Sequence, residues 1–236
     1  MTEELDENKR SVLITGTDSG LGLAFVDTFL SEGWSVCAGY IVSDSPVNRM
    51  KSPELTPVLL DVTDVRSIEA ARARVASHTD RLDMVINDAG IDSGKSDTLE
   101  ELDFDTIHEV LDVNAVGPLR VTREFLDLLK RGTLKRIINV SSEAGSITDC
   151  TRTSWFGYNM SKAALNMQTK ILHNYLSPMG FSVHSVHPGG MRSNMGSPEM
   201  GFAPEDSARL LFDLITVEDA STLPRFFQFD GNELPW

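Results

Sequence analysis

Short runs of apolar and β-branched residues alternate with longer amphipathic stretches along the whole chain. The apolar runs are Ser11 to Thr15, Ser35 to Ile41, Pro57 to Asp61, Leu82 to Asn87, Arg136 to Ser141, Phe181 to His187 and Arg225 to Phe229. They are short, nearly continuous in hydrophobicity and bounded by turn-forming residues, as strands buried on both faces are. Helical periodicity lies between them, over Leu21 to Ser31, Val65 to His78, Leu102 to Lys130 with a break near Gly117 and Pro118, Gly157 to Leu176, and Pro204 to Ile215. This alternation predicts an α/β fold: a single Rossmann-type, doubly wound, mainly parallel sheet of seven strands with helices on both faces. No linker interrupts it, so residues 1–236 are predicted to be a single dinucleotide-binding and catalytic domain, with a flexible tail over residues 1–9. Two stretches without regular pattern, Thr148 to Phe156 and Met191 to Ala203, each follow a strand and are expected to wall a substrate.

Composition changes this picture only by exclusion. The formal net charge of -14 speaks against nucleic acid as a partner, because a phosphate backbone needs a basic face. There is no apolar run long enough to span a bilayer and no basic, apolar leader, so a cytoplasmic protein with no membrane partner is expected. Cys37 and Cys150 lack metal-ligand spacing and read as free thiols, and no metal site is expected.

The first strand runs into Thr15-Gly16-Thr17-Asp18-Ser19-Gly20-Leu21-Gly22, and a helix follows. Glycines there allow a tight turn and close ligand approach, and the helix start offers free N–H groups and a positive dipole end to a pyrophosphate. Farther along, Tyr158 and Lys162 stand four residues apart and share a helix face. A phenol with an ordinary pKa of about 10 is a poor proton shuttle at neutral pH, and a nearby ammonium is expected to lower it. A solvated Lys beside a packed Tyr has the same spacing.

The glycine spacing, Asn87-Asp88-Ala89-Gly90, Asn114, Ser142, Tyr158 with Lys162, and Pro188-Gly189 resemble, in order, the classical short-chain dehydrogenase/reductase family. The segments His187 to Ser193 and Phe229 to Trp236 further resemble its branch of C-factor and sniffer-type carbonyl reductases. The resemblance implies an NAD(P)-dependent oxidoreductase that moves a hydride between a nicotinamide cofactor and a secondary alcohol or carbonyl. It makes Tyr158 the general acid or base and Ser142 the partner of the substrate oxygen. Lys162 would lower the Tyr158 pKa and bind the nicotinamide ribose, and the backbone of Asn114 would hold a relay water. Ser142 is preferred to Ser141 because strand alternation puts the two on opposite faces.

For the cofactor, the implied set is Gly16, Asp18, Ser19, Gly20, Leu21, Gly22, Tyr40, Ile41, Asp61, Val62, Asn87, Ala89 and Gly90, with Tyr158 and Lys162. Pro188, Gly189, Gly190, Met191 and Ser193 would lie at its nicotinamide end. Two departures stand out. Asp88 replaces the second Asn of the usual Asn-Asn-Ala-Gly, and the second strand ends in Tyr40 and Ile41 where an acidic residue selects NAD and an Arg selects NADP. The lack of positive partners leans to NAD, whereas the branch resemblance leans to NADP. Ser142 and Tyr158 are sixteen positions apart, longer than is common in the family, so the loop between them has material to shape a pocket. Arg152 and Trp155 within it suit a carboxylate or phosphate clamp and an apolar wall, and equally suit an exposed surface loop. His187 reads as a satisfied structural histidine. A homo-oligomer, dimer or tetramer, is expected from the relatives. The alternative to an enzyme is a dinucleotide-binding regulatory or signalling protein of the same fold with little turnover.

Overall fold

The seven apolar runs all become strands of one parallel sheet. The computed structural model describes residues 9–92, 98–191, 201–219 and 225–236. The strands are β1 (Ser11–Thr15), β2 (Ser35–Tyr40), β3 (Leu55–Leu59), β4 (Met84–Asn87), β5 (Arg136–Val140), β6 (Ser182–His187) and β7 (Phe226–Gln228). Their spatial order is β3-β2-β1-β4-β5-β6-β7, so the chain reverses direction across the sheet between β1 and β4. Open sheets of this kind place ligands at that reversal, beyond the carboxyl ends of the strands.

Burial explains the unbroken hydrophobicity of the strands. Val12, Leu13 and Ile14 are fully buried because helices cover both faces of β1. On one face lie α1 (Gly20–Ser31) and α6 (Pro204–Ile215), packed together through Phe29 and Phe212 with ring centroids 4.8 Å apart. The other face carries α2 (Val65–Ala76), α4 (Gly117–Arg131) and α5 (Phe156–Leu176), with α3 (Phe104–Leu111) against α5. Complete burial of a Phe or Leu contributes roughly 1.5–3 kcal/mol, and each face has several.

Two boundaries differ from the sequence expectation. β3 runs from Leu55 to Leu59, two residues earlier than expected, because Asp61 Oδ1 accepts from Thr63 N–H and from Thr63 Oγ1 and turns the chain out of the sheet. β3 tolerates Pro57 because it is an edge strand, where a missing N–H costs little. The expected break near Gly117 is a widened π-helical turn, Asp112–Val116, from which α4 continues directly. Such turns interrupt the regular hydrogen-bond ladder and recur at functional sites. Among the described residues no helix is long and apolar enough to cross a membrane, and no cluster of His, Cys, Asp and Glu suits a metal ion. Cys37 is buried and Cys150 exposed, both unbridged.

Candidate active site

A cavity of about 610 Å³ opens at the carboxyl ends of β1 and β4. One wall is the glycine turn. Gly16 has φ +74°, and a Cβ there would lie 2.7 Å from Ala89 Cα; a Cβ on Gly22 would lie 2.3 Å from Gly16 O. Gly20, at φ +57°, faces open space. The turn is therefore closed against its own chain at two glycines and open at the third, a cradle that a main-chain-hugging phosphate fits. Thr15 Oγ1 accepts from Asp88 N–H at 3.1 Å and Ala89 N–H at 3.0 Å, which ties the ends of β1 and β4 together. Asp18 reaches sideways to β2, its carboxylate accepting from Ile41 N–H at 3.0 Å and Val42 N–H at 3.1 Å.

The far end of the cavity carries the chemistry. A buried polar layer seats α5 on the sheet: Asn87 Nδ2 donates to Asn139 Oδ1, Asn139 Nδ2 to Thr169 Oγ1, and Ser185 Oγ to Thr169 Oγ1, each at 2.8 Å. Beyond β5 a short 3-10 turn, Glu143–Gly145, lies against α5, which is possible because a Cβ on Gly145 would meet Lys162 main chain at 2.8 Å. This approach brings Ser142 into hydrogen bond with the Tyr158 hydroxyl. Ser142 Oγ also accepts from Ala144 N–H at 3.1 Å. Lys162 Nζ donates to Val140 O at 2.8 Å and lies 5.5 Å from the centre of the Tyr158 ring. Asn114, in the π turn, pins the neighbouring loop: its side chain exchanges hydrogen bonds with the N–H and C=O of Ile91, both 2.8 Å, and donates to Ser161 Oγ at 3.0 Å.

Comparison with known proteins decides what this arrangement belongs to. The short chain dehydrogenase family matches residues 10–200. The chain belongs to that family. It is 37% identical over 158 residues to the C-signal of Myxococcus xanthus, covering 67% of this chain and 95% of that one. The structure of an NADPH-bound carbonyl reductase from chicken fatty liver superposes with a TM-score of 0.88 at 29% identity, covering 97% and 99% of the two chains. Carbonyl reductase Sniffer of Drosophila melanogaster gives the same TM-score at 26% identity, with 97% and 100% covered. The protein is thus a short-chain dehydrogenase/reductase enzyme, an NAD(P)-dependent oxidoreductase.

Within this dehydrogenase, Gly16, Asp18, Ser19, Gly20, Leu21, Ile41, Asp61, Val62, Ala89, Gly90, Tyr158, Lys162, Pro188 and Met191 all line the cavity. Gly22 and Asn87 stand behind the wall as spacers and tethers, and Tyr40 packs instead against the hydrophobic core of the α1 and α6 face. Gly189, at φ +85°, packs on Phe229, and Gly190 O accepts from Phe202 N–H at 2.9 Å, which turns Pro188 and Met191 inward. Ser193 lies outside the described residues.

Three expectations are corrected. Ser141 and Ser142 do not point to opposite sides, because β5 ends at Val140: Ser141 Oγ donates to Asn166 Oδ1 at 2.7 Å and Ser142 meets Tyr158, both on α5. The pKa of Tyr158 is not lowered. Burial pushes it up to about 12, and the negative charges of Asp92, Glu143 and Asp88 oppose ionisation further, against the downward pull of the Ser142 bond. Lys162 is itself brought down to about 8 by burial, with Asp88 pulling it back up. His187 is not a satisfied structural histidine, since its buried Nδ1 has no hydrogen-bond partner among the described residues and it sits in the field of Glu143, Lys162 and Arg152. Burial holds its pKa below the ordinary value.

Arg152 and Trp155 do converge on the site. The Trp155 ring stacks on Tyr158 with centroids 4.4 Å apart and an angle of 11°. Its Nε1 donates to Asp92 Oδ1, while Arg152 lies 5.6 Å over the indole and donates to Glu143 Oε1 at 2.6 Å. The start of this loop is held by Trp236, whose carbonyl oxygen accepts from Ile147 N–H and Thr148 N–H, both 3.0 Å. Asn139, Asn166, Thr169 and Gly145 were not foreseen as site-building residues. For Asn139, Asn166 and Thr169 the signal was present as polar residues inside otherwise apolar strand and helix faces, which a buried position must satisfy.

Proposed function

We propose that the enzyme reduces a small carbonyl compound to a secondary alcohol, with NAD(H) as its preferred cofactor. The observation that carries this reading is the Tyr158 hydroxyl, held by Ser142 in the wall of a cavity fit for a dinucleotide and kept in its protonated form at neutral pH. A neutral phenol donates a proton, and reduction of a carbonyl calls for one on oxygen. The nicotinamide, when bound, supplies the hydride. Ser142 Oγ holds the substrate oxygen, Tyr158 Oη gives it a proton, and Lys162 Nζ, oriented by Val140 O, grips the cofactor ribose and favours the phenolate that remains. Asn114 keeps the 89–91 segment fixed beside Lys162 and lends its main chain to the relay water. Gly16, Ser19, Gly20 and Leu21 hold the pyrophosphate, and Asp61 and Val62 flank the adenine.

Charge supports NAD(H) over NADP(H). Among the described lining residues Asp18, Asp61, Asp88, Glu109 and Asp112 are acidic and Lys162 alone is basic. Arg49, beyond β2, pairs with Asp44 at 3.6 Å and does not line the cavity. A 2′-phosphate would meet the Asp18 carboxylate with no cation to balance it. The chicken carbonyl reductase, by contrast, was crystallised with NADPH.

Fluorescence titration with NADH and NADPH tests the cofactor, followed by a panel of aldehydes and ketones with whichever binds. NADH is expected to bind at least tenfold more tightly and to be oxidised by a member of the panel. Tighter NADPH binding reverses the cofactor assignment; tight binding with no turnover on any carbonyl or alcohol leaves a dinucleotide-binding signalling protein, a role that the name of the Myxococcus relative keeps in view.

A further inference from the structure

Asp88 has no part in the transfer of a proton from Tyr158 to substrate, yet it sits between the two halves of the cavity. Its N–H is held by Thr15 Oγ1 at the end of β4, and its carboxyl crosses to α1 to accept from Gly22 N–H. A Cβ on Gly22 would lie 2.8 Å from Asp88 Oδ2, so the carboxyl rests directly on the main chain of the glycine turn. Half-buried, it faces the cavity that Lys162 also lines. The charged and titratable groups that line the cavity with it are Lys162 and Tyr158 from α5, Asp18 from the glycine turn, Asp61 after β3, Glu109 from α3 and Asp112 from the π turn. Among the described lining residues only Lys162 offers it a positive charge.

The first turn of α1 is also where a pyrophosphate finds free N–H groups and the positive end of the helix dipole. A carboxylate already on that turn shares these donors with the incoming anion and repels it. An Asn side chain of the same shape does neither.

We propose, on the footing that the cavity takes a dinucleotide, that cofactor binding is coupled to a proton at Asp88: the anionic dinucleotide binds the form whose Asp88 carboxyl is neutral, and Asp88 takes one proton from solvent as the pyrophosphate docks. The proton ends on a carboxyl oxygen and is returned to solvent when the cofactor leaves. Asp88 acts through the glycine turn as a positioning residue and touches no reacting atom.

The free protein is poised for this exchange. Burial raises the Asp88 pKa to about 7, against the opposing pulls of Lys162 and the Gly22 N–H, so near neutral pH both forms are populated. A second negative charge beside it raises the pKa further and draws in the proton. Affinity for the dinucleotide therefore declines as pH climbs above 7. Lys162, with its pKa near 8, also gains a proton on anion binding, but over a higher pH window.

Dissociation constants for NADH and NADPH, read by nicotinamide fluorescence with the full chain at pH 6, 7 and 8, compare the wild type with Asp88→Asn. Wild-type affinity is expected to fall roughly tenfold from pH 6 to pH 8, the change that follows when only the form with a neutral carboxyl binds and the free carboxyl has a pKa of about 7. The variant should match the wild type at pH 6, bind several-fold more tightly at pH 8, and show a flatter profile. Parallel pH profiles, or a variant that binds more weakly at every pH as a purely structural role requires, overturn the coupling. Calorimetry of the wild type alone at about pH 6.5, where Lys162 already holds its proton, in two buffers of different ionisation enthalpy, gives a check independent of the variant's folding. Proton uptake on binding supports the coupling, and none refutes it. Absence of binding by either nucleotide at any pH overturns the dinucleotide assignment itself, a failure separate from that of the proton coupling.

Discussion

Around the glycine turn the wall of the site is main chain, whereas around Tyr158 it is side chains leaning on one another. Gly16 and Gly22 are closed against Ala89 and Gly16 O at distances that admit no added carbon, and Thr15 staples β1 to β4. On the Tyr158 side, Trp155 stacks on the phenol, Arg152 lies on Trp155, and Glu143 pairs with Arg152. A main-chain wall fits one shape and cannot be altered without moving the sheet. A side-chain wall changes residue by residue. The first half is thus suited to a constant cofactor and the second to a substrate that differs between relatives.

This contrast is open to direct test. The largest effect is expected at the junction of the halves, where Tyr158→Phe should lower turnover roughly 10²- to 10⁴-fold while NADH titration and the unfolding midpoint stay close to wild type. Unchanged turnover on the best carbonyl of the panel would remove Tyr158 from the proton step. On the main-chain side, Gly22→Ala forces a methyl against Gly16 O and Asp88, and cofactor affinity should drop by at least about tenfold with every substrate affected alike. A loss that depended on the substrate would break the distinction between the halves. The smallest effect belongs to the side-chain wall: Arg152→Ala should raise KM by up to about tenfold for anionic carbonyl substrates and little for neutral ones, with cofactor binding untouched. Equal changes for both substrate classes would make the Glu143–Arg152 pair a brace for the loop rather than a recognition element.

How much of this was legible in the sequence follows the same division. The order of strands and helices could be read because each burial pattern is local: an unbroken apolar run is a strand covered on both sides, and a 3.6-residue period is a helix with one face covered. Gly16, Gly20 and Gly22 were readable because a main-chain wall needs glycine whatever surrounds it. The proximity of Arg152 and Trp155 to Tyr158 remained open, since a loop's course depends on contacts such as Trp236 with Ile147 and Thr148, nearly ninety residues apart in sequence. The charge states were not legible at all. Spacing alone led to the expectation that Lys162 would lower the Tyr158 pKa, and burial outweighed it; His187 read as satisfied, and the fold left its Nδ1 without a partner among the described residues.

The sequence by itself determined the fold class and the family and pointed to most of the residues that line the cavity, because these rest on periodicity, on glycine geometry and on the order of a few polar groups. The tertiary structure alone decided how those residues behave. Desolvation and the sum of nearby charges depend on which distant segments pack together, so a protonated Tyr158, a near-neutral Asp88 and a Lys162 with a pKa of about 8 emerge only when β4, α1 and α5 close around one cavity.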